Sequence, residues 1–175
     1  MKPVIFSYSL TGNNKALAES LAKELSLEHI QVTESKPRTM GTIVMDIIFN
    51  RAPKVQPLPE KLENQGMILF LGPVWMGHVA TPFRPYLKYL KSNPRKFAYL
   101  SISGGADGPN PKLGEELKKR TGIEPVAIID HHIASLLPPD PKPTRNDTMT
   151  YRINSQEVES LTKTIAKTVK EQLKV

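Results

Sequence analysis

The turn after the first apolar run is the sequence feature that most constrains the fold. Residues 4–6 have the sequence VIF, and residues 15–25 place apolar side chains at helical spacing. A strand, a tight turn and a helix are therefore predicted in that order. A turn in this position directs backbone N–H groups and small hydroxyls at one point, where the helix N-terminus adds partial positive charge, and this arrangement suits phosphate.

Two common nucleotide motifs do not fit this turn. A Walker loop needs Gly-x-x-x-x-Gly-Lys-Ser/Thr, and the dinucleotide fingerprint needs the pattern Gly-x-Gly-x-x-Gly. The turn 9–14 has the sequence SLTGNN, in which hydroxyl and amide side chains replace the missing glycines. Both motifs are therefore disfavoured.

The pattern Ser-x-Thr-Gly-Asn-Asn after a first strand resembles the phosphate loop of the flavodoxin family. In that family, hydroxyls and main-chain amides hold the phosphate of flavin mononucleotide (FMN) without a lysine. An ordinary strand–helix turn with a Ser/Thr/Asn cap is the alternative. The resemblance implies that the phosphate is bound by Ser9, Thr11, Gly12, Asn13 and Asn14.

A second segment resembles the other flavin loop of flavodoxin-like proteins. The unbroken apolar run 67–71 predicts a strand buried on both faces, and it leads into GPVWMGHVATP at 72–82. Trp75 is the single tryptophan of the chain, and an indole stacks well on a flat heteroaromatic ring. Packing of this indole within the loop is the alternative. The implied flavin-binding residues are Pro73, Val74, Trp75, Met76, Gly77 and His78.

His78 also has two interpretations. An imidazole in the flavin loop could donate a hydrogen bond to a reduced flavin or to a substrate carbonyl, or it could be an ordinary exposed loop histidine.

The third segment repeats this layout, with a predicted strand at 97–102, a glycine-rich loop at 103–109 and a helix from about Asn110 to Thr121. The implied contacts to the flavin are Ser103, Gly104 and Gly105. Flavodoxins usually place a tyrosine in this loop, whereas 103–109 contains no aromatic residue. We therefore expect one face of the ring to be open, which would give a nicotinamide or quinone room to stack.

The remaining elements extend the resemblance over nearly the whole chain. A short second strand is predicted at 28–32, a fifth strand at 126–133 and a closing helix over 158–173. The resemblance implies a flavodoxin-like three-layer α/β/α sandwich around a five-stranded parallel sheet of order 2-1-3-4-5. FMN would lie in the crevice between strands one and three, where the strand order reverses. We expect residues 1–175 to form one domain.

Two connections depart from a minimal flavodoxin, although the length of the first is ordinary. Residues 33–62 contain a predicted short helix at 42–49 between basic, proline-rich flanks. Residues 135–154 include the proline-rich run LLPPDPKP, which cannot form regular structure. This second segment is interpreted either as a flap or partner-binding surface, or as an extended segment clamped to the protein.

The amino-acid composition excludes several kinds of functional site. The chain contains no cysteine, so disulfides, thiolate metal sites and covalent thiol chemistry are excluded, and a flavin would be bound noncovalently. No metal site is expected, because His131 and His132 are neighbours on a predicted strand and point to opposite faces. The first strand begins too early for a signal peptide, and no apolar run is long enough for membrane insertion, so we expect a cytoplasmic protein.

The net charge of +7 is opposite in sign to that of typical electron-carrying flavodoxins. Positive charge steers anions, which favours a nicotinamide nucleotide or an acidic redox protein as partner. Nucleic-acid binding is disfavoured because basic and acidic residues alternate along the predicted helices. A homodimer is compatible with the sequence.

Together these observations favour an FMN-binding oxidoreductase that takes electrons from NAD(P)H and passes them to a small acceptor. No side chain is expected to act as a catalytic nucleophile, because the flavin ring carries the redox chemistry. Two alternatives remain: an electron-transfer carrier without turnover of its own, and a flavin-free interaction protein on the same fold.

Overall fold

The computed structural model describes residues 3–173 and has a five-stranded parallel sheet at its centre. The neighbouring strands are parallel throughout, and their spatial order is 2-1-3-4-5, as the sequence predicts. The strands are β1 (Val4–Ser7), β2 (Glu28–Gln31), β3 (Met67–Leu71), β4 (Lys96–Ser103) and β5 (Ala127–His132).

Six α-helices are assigned within the described residues, and the longer ones cover the two faces of the sheet. Because successive strand residues point to opposite faces, Val4 and Phe6 belong to one buried cluster and Ile5 to the other. The first cluster includes residues of α3 and α4, and the second includes residues of α1 and α6. The predicted three-layer sandwich is therefore confirmed. The helices are α1 (Asn13–Leu25), α2 (Met40–Ile48), α3 (Arg84–Ser92), α4 (Leu113–Thr121), α5 (Arg145–Thr150) and α6 (Ser155–Leu173).

Short elements complete the chain. Two antiparallel ladders of two residues per strand join Thr33–Glu34 to Val55–Gln56 and Val74–Trp75 to His78–Val79. Single 3-10 turns lie at Pro59–Leu62, Thr81–Phe83 and Ile133–Leu136.

The predicted element boundaries agree with the structure where the apolar pattern is strong. The strand at 67–71 is correct at both ends, whereas the helix predicted from Asn110 begins at Leu113. The helix predicted at 42–49 begins two residues earlier, because Thr39 caps it: Thr42 N–H donates to Thr39 Oγ1 (3.3 Å) and Thr39 N–H donates to Thr42 Oγ1 (3.0 Å).

Helix α5 lies within the segment 135–154, for which no helix is predicted. It begins with a second capping box, in which Thr144 N–H donates to Asp147 Oδ2 (2.8 Å) and Asp147 N–H donates to Thr144 Oγ1 (3.3 Å). Six residues are too few to show an apolar periodicity, so the cap is the only local sign of this helix. No helix among residues 3–173 is both long enough and apolar enough to cross a membrane.

Replacing Gly72 with alanine should destabilise the fold. Gly72 follows β3, and a Cβ atom there would lie 2.5 Å from Phe83 Cε2 and 3.0 Å from Tyr8 O. Phe83 is fully buried, so relief requires a shift of the core, and we expect a loss of about 1–3 kcal/mol in the free energy of unfolding. Urea unfolding measures this loss. Gly41→Ala in α2 is the matched control, because its nearest contact would be an ordinary 3.8 Å. Equal midpoints for the two variants would contradict the tight packing at Gly72.

Candidate cofactor site

The three glycine-containing loops meet at a crevice of about 140 Å³ beside the carboxyl ends of β1, β3 and β4. This is the edge of the sheet at which a doubly wound fold binds its ligands. Met40 of α2, Ile133 after β5, and Thr148 and Met149 of α5 also line the crevice. The predicted residues that line the crevice are Thr11, Asn14, Pro73, Val74, Trp75, Ser103 and Gly104.

The first loop leaves the N-terminus of α1 without a side-chain cap. Gly12 occupies the cap position with a φ of 98°, a conformation that favours glycine, and its N–H donates to Ser9 Oγ (3.0 Å). The first backbone bond into the helix runs from Ala16 N–H to Gly12 O (2.9 Å). The N–H groups of residues 13–15 therefore precede the helical ladder, and nothing in the described part of the chain accepts from them.

Asn13 and Asn14 are buried, and their amides bond to other parts of the protein. Asn13 Nδ2 donates to Tyr151 O (3.0 Å), and its Oδ1 accepts from Ile153 N–H (3.2 Å). Asn14 Nδ2 donates to Ile102 O (3.0 Å), and its Oδ1 accepts from Ile102 N–H (3.0 Å). Both residues are predicted to bind a phosphate, but the structure commits the Oδ1 atom and one Nδ2 hydrogen of each side chain to these internal bonds, and the backbone N–H groups remain without an acceptor.

The second loop is a hairpin whose two strands face different cavities. Met76 (φ 51°) and Gly77 (φ 79°) form its tip, and two successive positive φ angles are typical of a type I′ turn. Trp75 lies on one strand and lines the crevice, whereas His78, its partner in register, lines a separate cleft. His78 Nδ1 lies 3.1 Å from Glu116 Oε1. The structure thus does not bring His78, Met76 or Gly77 to the wall of the crevice.

Tyr99 anchors the base of this hairpin. Its buried hydroxyl donates to Pro73 O (2.9 Å) and lies 3.2 Å from Gly72 O. Burial raises the pKa of Tyr99 well above its ordinary value, so the hydroxyl keeps its proton and remains a donor.

A charged cluster that the sequence pattern does not predict supports Trp75. The Arg38 guanidinium lies 5.7 Å from the centre of the Trp75 ring, and the Tyr8 ring meets the indole edge-on at 5.8 Å. Arg38 forms ion pairs with Glu34 and with Asp46 (2.7 Å). Burial alone would lower the pKa of Arg38, but hydrogen bonds to the two carboxylates outweigh burial and raise it.

The Tyr8 hydroxyl joins this cluster by donating to Glu34 Oε2 (3.1 Å). Burial, followed by the charge of Glu34, raises the pKa of Tyr8. Trp75 therefore has both a face toward the crevice and a packed environment, so the two interpretations of this residue are compatible.

The third loop places an unpartnered hydroxyl against the crevice. Ser103 is 4% exposed, and its Oγ has no hydrogen-bond partner among the described residues. Buried hydroxyls are normally hydrogen-bonded, so this atom is suited to a ligand that enters the crevice. The two glycines that follow allow close approach: a Cβ on Gly104 would lie 3.0 Å from Thr148 Oγ1, and a Cβ on Gly105 would collide with His132.

Helix α5 covers the third-loop side of the crevice, so the open ring face expected from the lack of an aromatic residue in 103–109 stays a prediction. Thr148 is buried against Gly104, and Met149 lines the crevice. The segment is held at one end by the ion pair of Arg145 with Asp107 (2.8 Å) and at the other by the bonds of Asn13 described above. Of the two interpretations of residues 135–154, these contacts favour a segment clamped to the protein.

The other histidines do not gather around a metal position. His132 Nε2 lies 3.2 Å from Asp130 Oδ2, which also accepts from Asn110 Nδ2 (2.7 Å). Burial lowers the pKa of His131. Within residues 3–173 no three side chains of the metal-ligating types come together.

Solved structures with the same architecture are flavoproteins and related proteins. A flavoprotein from Lactobacillus acidophilus in complex with FMN matches with a TM-score of 0.60 and 24% identity over 74% of this chain and 92% of that chain. A candidate flavoprotein from Bacteroides eggerthii matches with a TM-score of 0.62 and 14% identity over 94% of this chain and 98% of that chain. The Trp repressor binding protein from Bacillus subtilis matches with a TM-score of 0.51 and 12% identity, over 93% and 98% of the two chains.

No protein-family model and no curated protein sequence matches the chain. The structural matches agree with the strand order and the layers described above. The protein therefore has the flavodoxin-like fold, as the resemblance of its loops implies.

Asn14→Ala should lower stability in the absence of any ligand. The substitution removes both hydrogen bonds to Ile102 and leaves the buried N–H and C=O of that residue unpaired. We expect a loss of about 2 kcal/mol or more in the free energy of unfolding, measured with urea on flavin-free protein. Asn93→Ala is the control, because Asn93 is exposed and bonds only within its own helix end. An unchanged stability for Asn14→Ala would show that this bridge does not hold the loops together.

Proposed function

We propose that this protein binds FMN noncovalently in the crevice and uses it for electron transfer. The observation that carries the proposal is the convergence of three groups on one crevice. These are an α1 N-terminus without a side-chain cap, the buried and unpartnered hydroxyl of Ser103, and the indole of Trp75. The FMN-bound flavoprotein from Lactobacillus acidophilus has the same fold, which supports the choice of cofactor.

The first loop suits the phosphate. The N–H groups of residues 13–15 supply donors at the positive end of the helix dipole. Ser9 accepts from Gly12 N–H, which leaves the hydrogen of its own hydroxyl free to donate to a phosphate oxygen. Thr11 adds a second hydroxyl at the wall of the crevice.

The ring would require the crevice to widen. Its volume of about 140 Å³ is below the roughly 300–1,000 Å³ of typical small-molecule sites. Two of the lining side chains, Met40 and Met149, are 54% and 45% exposed, and methionine changes rotamer easily. FMN, once bound, supplies the redox chemistry, and the chain binds and orients it.

The proposed electron donor is NADPH or NADH, and the proposed acceptor is a small molecule. The net charge of +7 supports an anionic donor, because it speeds the approach of anions. The cover of α5 over the third loop favours the alternative, an electron-transfer carrier, since it reduces the room for a second ring beside the flavin.

FMN should bind more tightly than riboflavin. The phosphate adds charge-assisted hydrogen bonds at the N-terminus of α1, and its loss should weaken binding on the order of a hundredfold. The fluorescence of Trp75, the single tryptophan, reports the titration, because a flavin stacked near the indole quenches its emission. Equal affinities for the two flavins would contradict the phosphate loop.

Ser103→Ala and Ser101→Ala form a matched pair for this titration. Both hydroxyls are buried on β4 without a partner, but Ser103 lines the crevice and Ser101 does not. We expect Ser103→Ala to weaken FMN binding about threefold to tenfold, and Ser101→Ala to leave it unchanged. An equal effect of both substitutions would place the flavin elsewhere.

Direct reduction by NADPH or NADH distinguishes the enzyme from the carrier. The FMN-loaded protein should be reduced anaerobically without a partner reductase, and the rate should fall as salt screens the positive charge. Stopped-flow absorbance at the flavin band measures both the extent of reduction and the salt dependence of its rate. A flavin that stays oxidised with excess nicotinamide, yet is reduced through a partner reductase, would establish the carrier in place of the enzyme.

A further inference from the structure

A second and larger cleft is lined by His78 of the hairpin. Its volume is about 680 Å³, and the rest of its lining comes from α3, α4 and residues 47–52 at the end of α2 and after it. Basic side chains dominate the lining, with one carboxylate among them, that of Glu116. The basic residues are Arg84, Lys88, Lys91, Lys119 and Arg120.

Arg84 is a buried cation without a carboxylate partner. It is 3% exposed, and its Nη1 donates to the backbone oxygens of Asp46 (2.6 Å) and Arg51 (2.9 Å). Its Nε is buried and has no hydrogen-bond partner, and no ion pair forms with Arg84 in the part of the chain that the structure describes. Burial, followed by the charge of Arg120, lowers the pKa of Arg84 and outweighs the opposite effect of the nearby charges of Glu116 and Asp46. A buried charge that its surroundings balance only in part is costly, so an anion in the cleft would offset this cost.

The one carboxylate of the lining is already occupied. Glu116 accepts from Arg120 Nε (2.8 Å) and from Val79 N–H (2.7 Å), and lies 3.1 Å from His78 Nδ1. The three lysines of the lining form no ion pair with any described residue, so their charges are not neutralised. The cleft therefore has a net positive charge that the protein itself does not balance.

The size and shape of the cleft favour a small ligand. A volume of about 680 Å³ is within the range of roughly 300–1,000 Å³ for small-molecule sites. Ile47 and Ala52 add apolar surface, and the basic groups come from two facing helices, so a ligand with an organic part and more than one phosphate can use the whole site. A stable interface with an acidic protein would instead bury about 800 Å² on each partner and so extend well beyond the cleft.

We propose that this cleft binds a small organic polyphosphate of nucleotide size, through the buried guanidinium of Arg84 and the lysines of α3 and α4. The site is separate from the crevice, and its occupation does not depend on FMN. The cleft is thus a second anion site, which neither the resemblance of the loops nor the fold assigns to this protein.

The test uses ADP as the probe on the flavin-free full chain, by isothermal titration calorimetry. ADP should bind, adenosine should not, and added NaCl should weaken the binding of ADP. The double variant Lys88→Gln/Lys119→Gln should weaken ADP binding about tenfold or more, because each lysine contributes a charge-assisted contact. Arg84 itself is left intact, since it also holds backbone carbonyls.

The matched control removes the same charge elsewhere. In Lys118→Gln/Lys167→Gln, the first lysine lies on α4 but pairs with Glu124 (2.7 Å), and the second lies on α6; neither lines the cleft. The control should bind ADP within about twofold of the original chain. Equal weakening in both double variants would show that ADP responds only to net charge, and this would overturn the site.

Two further arms define the ligand. Inorganic pyrophosphate that binds more weakly than ADP supports a nucleotide, whereas equal affinity would overturn the organic part of the proposed ligand. Binding of a polyglutamate peptide together with failure of both phosphate probes would overturn the proposal in favour of an acidic protein partner. A failure of FMN titration in the crevice would leave the ADP result unaffected, so the two proposals fail separately.

Discussion

The pairing of Asn14 with both backbone polar groups of Ile102 holds the candidate site together. The two residues are 88 positions apart in the chain, and their two hydrogen bonds attach the start of α1 to the end of β4. Asn13, the residue before Asn14, forms side-chain hydrogen bonds to the backbone of residues 151 and 153 and so attaches the same helix end to them. The first loop, the third loop and the cover over the crevice therefore share one anchor. Because the two bonds between Asn14 and Ile102 are buried, losing one partner costs more than one ordinary hydrogen bond.

The sheet and its loops were predictable because their pattern is local. The strand at 67–71 is an unbroken apolar run, and each glycine-containing loop follows such a run directly. The apolar pattern and the turn residues are therefore enough to predict these elements. The crevice follows from the rule that the carboxyl ends of parallel strands share an edge. What could be predicted was thus the fold, the strand order and the meeting of the three loops.

The parts that escaped prediction depend on contacts between distant residues. The Arg38 cluster joins a two-residue ladder, α2 and the Trp75 hairpin, and no periodicity links those segments. His78 is the cross-strand partner of Trp75 in the hairpin, yet the two side chains line different cavities, and the spacing of the two residues in the sequence does not reveal this. Helix α5 is too short to produce an apolar pattern, so its cover over the third loop was also missed.

The anchoring of the cover has a kinetic consequence. Asn13 bonds to the backbone on the far side of α5, and the same residue contributes its N–H to the end of α1 where an anion would sit. Displacing the cover far enough for a ring to pass would strain these bonds, and an anion at the helix end would in turn stiffen them. For the cofactor proposed above, the residence time should then depend on how often the cover opens as well as on the contacts that the cofactor makes.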